Sequence, residues 1–150
     1  MSQSLANVLL HVIFSTKNRD PFIDETIAPE LYAYMATALD TFGCPAVKIG
    51  GASDHVHILC NLSRTKTIAN LVETAKTDSS SWLKTKGPQF TRFYWQSGYG
   101  AFSVAQSQVE SVKQYIENQR EHHKRKTFQE EYRELLQKCA IKYNEKYVWD

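Results

Sequence analysis

Cysteine is scarce in this sequence: Cys44, Cys60 and Cys139 are the only three among 150 residues, and none stands in a CxxC pair. An odd, unpaired set gives neither a disulfide framework nor a four-thiolate zinc site. Such thiols suit a cytoplasmic protein that keeps them reduced and mostly buried. Long apolar runs are also missing. The N-terminal run VLLHVIF, Val8 to Phe14, has no basic residue before it and is far too short to span a bilayer, which argues against a signal peptide and against a membrane partner. Internal repeats and low-complexity segments are absent too.

What is present is a composition that can fill one core. With 42% hydrophobic and 12% aromatic residues, 150 residues suffice for a single domain, taken as residues 1–150. The net charge of +2 conceals an uneven distribution: Asp20 to Asp54 holds six acids and one lysine, Arg64 to Arg92 six basic residues and two acids, and Lys113 to Lys146 nine basic residues and six acids. One side of such a molecule suits a polyanion. A solvated helix face of mixed charge reads the same way, so the pattern alone does not decide.

Residues Val8 to Ser15 are β-branched and aromatic enough for a first strand, which the loop KNRDPFID leaves. In ETIAPELYAYMATALDTFG the apolar positions Ile27, Leu31, Tyr34, Met35, Ala38, Leu39 and Phe42 recur at helical spacing, and Gly43 stands where a C-terminal cap belongs. PAVKIGG and HVHILCNL read as paired strands. KTIANLVETAKTDSSSWLKTKG predicts a second helix whose serine run frays its middle, and FTRFYWQSGYGAFSV a fourth strand interrupted near its glycines. A third helix spans roughly Gln106 to Arg125. Thr127 to Glu130, TFQE, has the form of a capping box opening a fourth. The order is that of a split βαβ: an α+β, ferredoxin-like (RRM-like) fold with an antiparallel sheet, one face of it free for a ligand, and additional C-terminal helices. The aromatic and glycine signature of RNA-recognition modules is not present.

In SDHVHILCNL, His55 and His57 are two apart on a strand and therefore share a face, while Val56 and Ile58 take the other. Two neutral imidazoles on one face can each give a nitrogen to a divalent metal. Two histidines merely hydrogen-bonded on a half-exposed face are the competing reading. In QYIENQ, Tyr115 and Gln119 are four apart and share a helix face. An amide oxygen can ligate a metal, and a phenol can attack phosphorus when a cation stabilises its phenolate, since its ordinary pKa is about 10. Either motif alone is weak; together they describe a tyrosine-dependent site for cutting a phosphodiester.

On these residues the chain resembles the HUH single-strand DNA endonucleases, and within them the single-tyrosine transposases of small insertion sequences and their relatives associated with repetitive extragenic palindromes. The resemblance runs through HVIFSTKNR, DHVHIL, WQSGYGAFSV and YIENQREHHKRKTFQEEY. It implies His55 and His57 as the histidine pair, Tyr115 as nucleophile and Gln119 as third metal ligand, with Mg²⁺ or Mn²⁺ as cofactor. It further implies a 5′-phosphotyrosine intermediate, substrates that are single-stranded DNA bearing an imperfect hairpin, and a homodimer in which the tyrosine helix of one chain completes the histidine pair of the other.

Further residues enter as weaker candidates. Lys17, Arg19, Arg64 and Arg92 are placed to contact DNA phosphates, and Trp95, Tyr99 and Phe102 to stack on bases, against the plainer readings of surface charge and core packing. His11 and His122 stand near the two motifs but are kept outside the metal shell. Three other functions compete with the transposase: a hairpin-binding module that does not cleave, a replication initiator or relaxase of the same chemistry, and a zinc hydrolase with Asp54 as its candidate base.

Overall fold

The computed structural model describes residues 2–150. Four strands, β1 (Leu9–Ser15), β2 (Ala46–Ala52), β3 (His55–Asn61) and β4 (Gly100–Val104), form one antiparallel sheet in the order β2-β3-β1-β4. Helices α1 (Ala28–Phe42) and α2 (Ile68–Leu83) complete the split βαβ pattern, and α3 (Val109–Glu117), α4 (Gln119–His122) and α5 (Phe128–Lys138) follow it. The α+β, ferredoxin-like expectation holds.

Alternation along the two central strands divides the molecule. Leu10, Val12 and Phe14 of β1 and Val56, Ile58 and Cys60 of β3 point to one face, where Leu31, Met35 and Leu39 of α1 and Leu71, Val72, Ala75 and Leu83 of α2 close the main core over them. The side chains between them, His11 and Ile13 on β1 and His55 and His57 on β3, are buried on the opposite face. That face is not free, contrary to the reading from sequence. Phe128, Tyr132 and Leu136 of α5 pack there on Ile13 and Phe102, and α3 lies along β2 and β3. The C-terminal helices have apolar stripes to bury, and the second sheet face is where they bury them.

Local chemistry fixes the element ends. Asp24 Oδ1 accepts from the backbone N–H groups of Thr26 and Ile27 ahead of α1, and Gly43, at φ 92°, ends that helix in the left-handed conformation a side chain would resist. Thr67 and Thr127 cap α2 and α5 by accepting from the N–H groups of Asn70 and Glu130.

Three further expectations need correction. The serine run does not fray α2, because Ser79 Oγ donates to the Ala75 carbonyl at 2.6 Å and accepts from the Trp95 indole at 3.0 Å, which satisfies both groups in the core. The fourth strand is short: residues 93–99 run outside the sheet save for a bridge between Thr16 and Trp95, since Phe93 and Trp95 turn into the core against Phe14. The third helix is not continuous from Gln106 to Arg125. It opens with a 3₁₀ turn at Gln106–Gln108 and breaks at Asn118 (φ −91°, ψ 15°), so Gln119 begins a separate short helix.

Candidate active site

The histidine pair owes its orientation to β3. His55 and His57 are fully buried, with ring centroids 5.1 Å apart, and each has one ring nitrogen held by a neighbour. His55 Nδ1 lies 2.7 Å from Asp54 Oδ1, and His57 Nδ1 lies 2.8 Å from His11 Nε2. Each neutral ring has one proton to place: on Nδ1, His55 donates to Asp54 and His57 to His11, and both Nε2 lone pairs face the same space, the tautomer that can ligate a metal; on Nε2, His55 donates to Gln119 Oε1 at 3.0 Å and His57 to Glu131 Oε1 at 3.1 Å. Burial lowers the His57 pKa to about 4, with the other imidazoles adding to the shift, so this ring is neutral at neutral pH. His11 is pushed down to about 3, again chiefly by burial.

The last three helices bring the remaining groups to that space. Gln119 is buried, and its Oε1 lies 3.0 Å from His55 Nε2. Tyr115, on α3, stands over the pair with its ring centroid 5.7 Å from that of His57, and its hydroxyl donates to Glu131 Oε2. Glu131, on α5, is itself buried. Its Oε1 lies 3.1 Å from His57 Nε2 and 3.2 Å from His123 Nε2, and its Oε2 accepts from Gln119 Nε2 at 3.2 Å. Burial alone would raise the Glu131 pKa, but bonds from His123 and His57 outweigh it and hold the carboxyl far below its usual range. Burial likewise works to lower the His123 pKa, but Glu131 overrides it and the net shift is upward. Tyr115 is driven well above the ordinary phenol value, first by burial and then by the charge of Glu131.

Ligand atoms of His55, His57, His123 and Glu131 all lie within 4.8 Å of one another. Imidazole nitrogens and a carboxylate oxygen, with the Gln119 amide oxygen beside them, are a donor set that suits a divalent cation, and the Asp54 and His11 contacts supply the outward support that metal-binding imidazoles use. The residues therefore fit the metal that the resemblance implies.

The four residues singled out from sequence, His55, His57, Tyr115 and Gln119, come together, and one chain supplies them all. The resemblance distributes them over two chains; here the tyrosine helix packs on its own sheet. Glu131 and His123 were not foreseen. A signal existed for Glu131, which falls three residues after Phe128 on the apolar stripe that Tyr132 and Leu136 continue, an unusual position for a charge. His122, left out of the shell, reaches 3.4 Å from Glu131 Oε2 without forming a hydrogen bond.

The candidate DNA contacts do not gather. Lys17 and Arg19 share a cleft of about 340 Å³ with Tyr94 and Trp149, and Arg19 Nη1 is spent on the Trp149 carbonyl at 2.8 Å. Arg64 is exposed beyond the far end of β3, and Arg92 is exposed in the loop before β4. Trp95 and Phe102 are 8% and 7% exposed, which makes them core residues rather than stacking platforms; Tyr99 is exposed. Of the thiols, Cys44 and Cys60 are buried and Cys139 is exposed, all of them free.

Residues 4–119 match the model of the family described as "Transposase IS200 like", and the chain belongs to that family. Among solved structures it is similar to a putative transposase from Deinococcus radiodurans R1, with 23% identity, a TM-score of 0.60 and coverage of 80% of this chain and 98% of that one. It is also similar to a REP-associated tyrosine transposase bound to a REP hairpin, with 11% identity, a TM-score of 0.57 and coverage of 79% and 72%. At these identities the likeness shows the fold. Comparison with curated proteins gives no match.

Proposed function

We propose that this protein is a metal-dependent, single-tyrosine endonuclease and strand transferase that acts on single-stranded DNA beside an imperfect hairpin. The observation that carries the reading is the convergence of Tyr115 and Gln119 on the His55–His57 pair within one buried cluster. The hairpin bound to one structural neighbour supports the choice of substrate.

Tyr115 Oη is the nucleophile. Its attack forms an O–P bond to the scissile phosphate and breaks the bond from phosphorus to the 3′ oxygen. The phenolic proton leaves the site and the departing 3′ oxygen is protonated, which gives a 5′-phosphotyrosine and a free 3′-hydroxyl. The linkage keeps the energy of the broken bond, so a second 3′-hydroxyl can reverse the step on another strand. His55, His57 and Gln119 would hold the cation, Mg²⁺ or Mn²⁺. When bound, it supplies positive charge to the phosphate under attack and favours the ionised phenol. Asp54 and His11 keep the two imidazoles in the tautomer that ligates. A cytoplasmic setting goes with this reading; separately, the described residues contain no helix long and apolar enough to cross a membrane.

The test is incubation with Mg²⁺ or Mn²⁺ and a labelled single-stranded hairpin oligonucleotide from the gene's own flanks, beside Tyr115→Phe and a His55→Ala/His57→Ala variant. A covalent adduct should form with the wild type and with neither variant, while Tyr115→Phe still binds. Cleavage by Tyr115→Phe would exclude the phenol as nucleophile. Binding without cleavage in the wild type would favour the non-cleaving hairpin-binding module. Mixing the two variants decides between sites within one chain, the arrangement of the helix packed on its own sheet, and sites completed in trans: no rescue establishes the first. Rescue would instead establish the homodimer with exchanged helices.

A further inference from the structure

Glu131 stands between two functions that the sequence motifs treat separately. One carboxylate oxygen, Oε1, faces His57 Nε2 at 3.1 Å, His123 Nε2 at 3.2 Å and His55 Nε2 at 3.6 Å, inside the donor cluster. The other, Oε2, accepts from the Tyr115 hydroxyl and from Gln119 Nε2. A carboxylate that is 2% exposed and surrounded by five such groups is neither a solvated charge nor one half of a simple ion pair.

We infer that Glu131 is a bridging residue, a carboxylate ligand to the cation through Oε1 and the positioning partner of the nucleophile through Oε2. This rests on the reading of Tyr115 as nucleophile and of the cluster as the metal site. The carboxylate stands on an anchored element, since α5 packs through Phe128, Tyr132 and Leu136 in the second core. One side chain thus links the phenol to the donor cluster that would hold the cation, and α5 becomes part of the catalytic layer. The same bond on Gln119 Nε2 turns the amide so that its oxygen, not its nitrogen, faces His55. Glu131 thereby also selects the ligating end of Gln119.

Mn²⁺ alone is the first probe, titrated into the full chain and followed by the paramagnetic signal of free ion. The second measurement is the single-turnover rate of adduct formation at saturating hairpin DNA. Glu131→Gln, nearly the same shape, should weaken Mn²⁺ binding by about tenfold or more and slow the adduct by about a hundredfold, with hairpin affinity unchanged. Glu131→Asp restores the charge one methylene short and should fail on both counts, because reach is what the bridge requires. Tyr115→Phe should bind Mn²⁺ as the wild type does. Thermal melts establish that each variant is folded. Unchanged Mn²⁺ affinity in Glu131→Gln, or an unchanged adduct rate, overturns the bridge. A wild type that binds Mn²⁺ yet forms no adduct instead refutes the nucleophile reading, and the bridge falls with it for a different and visible reason.

Discussion

Gly50 sets how closely the tyrosine helix approaches the sheet. A Cβ built on it would lie 2.6 Å from the Ile116 carbonyl oxygen and 2.9 Å from Ile116 Cγ2. Ile116 is the residue after Tyr115, and it is fully buried on β2. Gly50 is not among the positive-φ glycines of the described residues, so alanine meets no backbone penalty there and the steric contact is isolated. In Gly50→Ala, α3 must withdraw by about 0.8 Å to reach an ordinary contact of 3.4 Å. Overpacking of this kind costs about 1–3 kcal/mol, offset by up to about 1 kcal/mol from the stiffer unfolded chain. The net loss of stability is then about 1 kcal/mol, too little to unfold a domain of this size. The effect on chemistry is larger, because a misplacement near 1 Å at a reacting group costs about a hundredfold in rate. Single-turnover adduct formation at saturating DNA should fall by about ten- to a hundredfold, while hairpin affinity and the folded fraction at 25 °C stay near wild type. A Gly50→Ala protein with the wild-type rate would refute the claim that the helix-to-sheet distance governs the nucleophile.

Two further outcomes follow from the interior. Ser79→Ala removes the acceptor of the buried Trp95 indole, which should cost about 1–3 kcal/mol and lower the thermal midpoint by several degrees without changing adduct formation; an unchanged midpoint would mean the indole finds another partner. In metal-free protein, His57 and His11 have folded pKa values of about 4 and about 3, depressed below the ordinary 6.5. The unfolded chain therefore binds more protons between these values, and stability, full above pH 6.5, should fall as the pH drops toward 4. Glu131, whose carboxyl is also depressed, adds to the loss at the acid end, whereas His123, shifted upward, opposes it around pH 6.5. Urea midpoints measured from pH 7 to pH 4 should show this decline, and a His11→Gln/His57→Gln variant should show less of it.

The strands and helices were legible because each carries its own period: alternation in HVHILCNL, three- and four-residue spacing in α1 and α2, a threonine cap before α5. The histidine pair was legible for the same reason, since a shared face follows from spacing alone. What spacing could not show was how α5 returns. Glu131 joins the site only because the helix that TFQE opens folds back over the sheet, a tertiary fact for which the capping box marks the start and nothing marks the destination; His123 joins it from the C-terminal end of α4, past a helix break that the spacing did not show. The break at Asn118 was hidden because Tyr115 and Gln119 keep contact across it, with Gln119 Nε2 still donating to the Tyr115 carbonyl at 3.3 Å. Trp95 and Phe102 failed as base-stacking candidates because aromatic residues suit a core as well as a surface, and burial is settled by the fold.

β3 makes the hydrophobic core the alignment jig of the active site. Val56, Ile58 and Cys60 are fully buried between the imidazole positions and the next turn of chain, paired with β1 in a register that sets Ile13 opposite His57 and Ser15 opposite His55. A slip of one residue would carry every imidazole into the oil-like side and every aliphatic group into the donor cluster. The strand therefore has no partly working neighbour in register space. The residues that fix where the two imidazole nitrogens converge are Val56, Ile58 and Cys60, small apolar side chains on the far side of the sheet that take no part in the donor cluster.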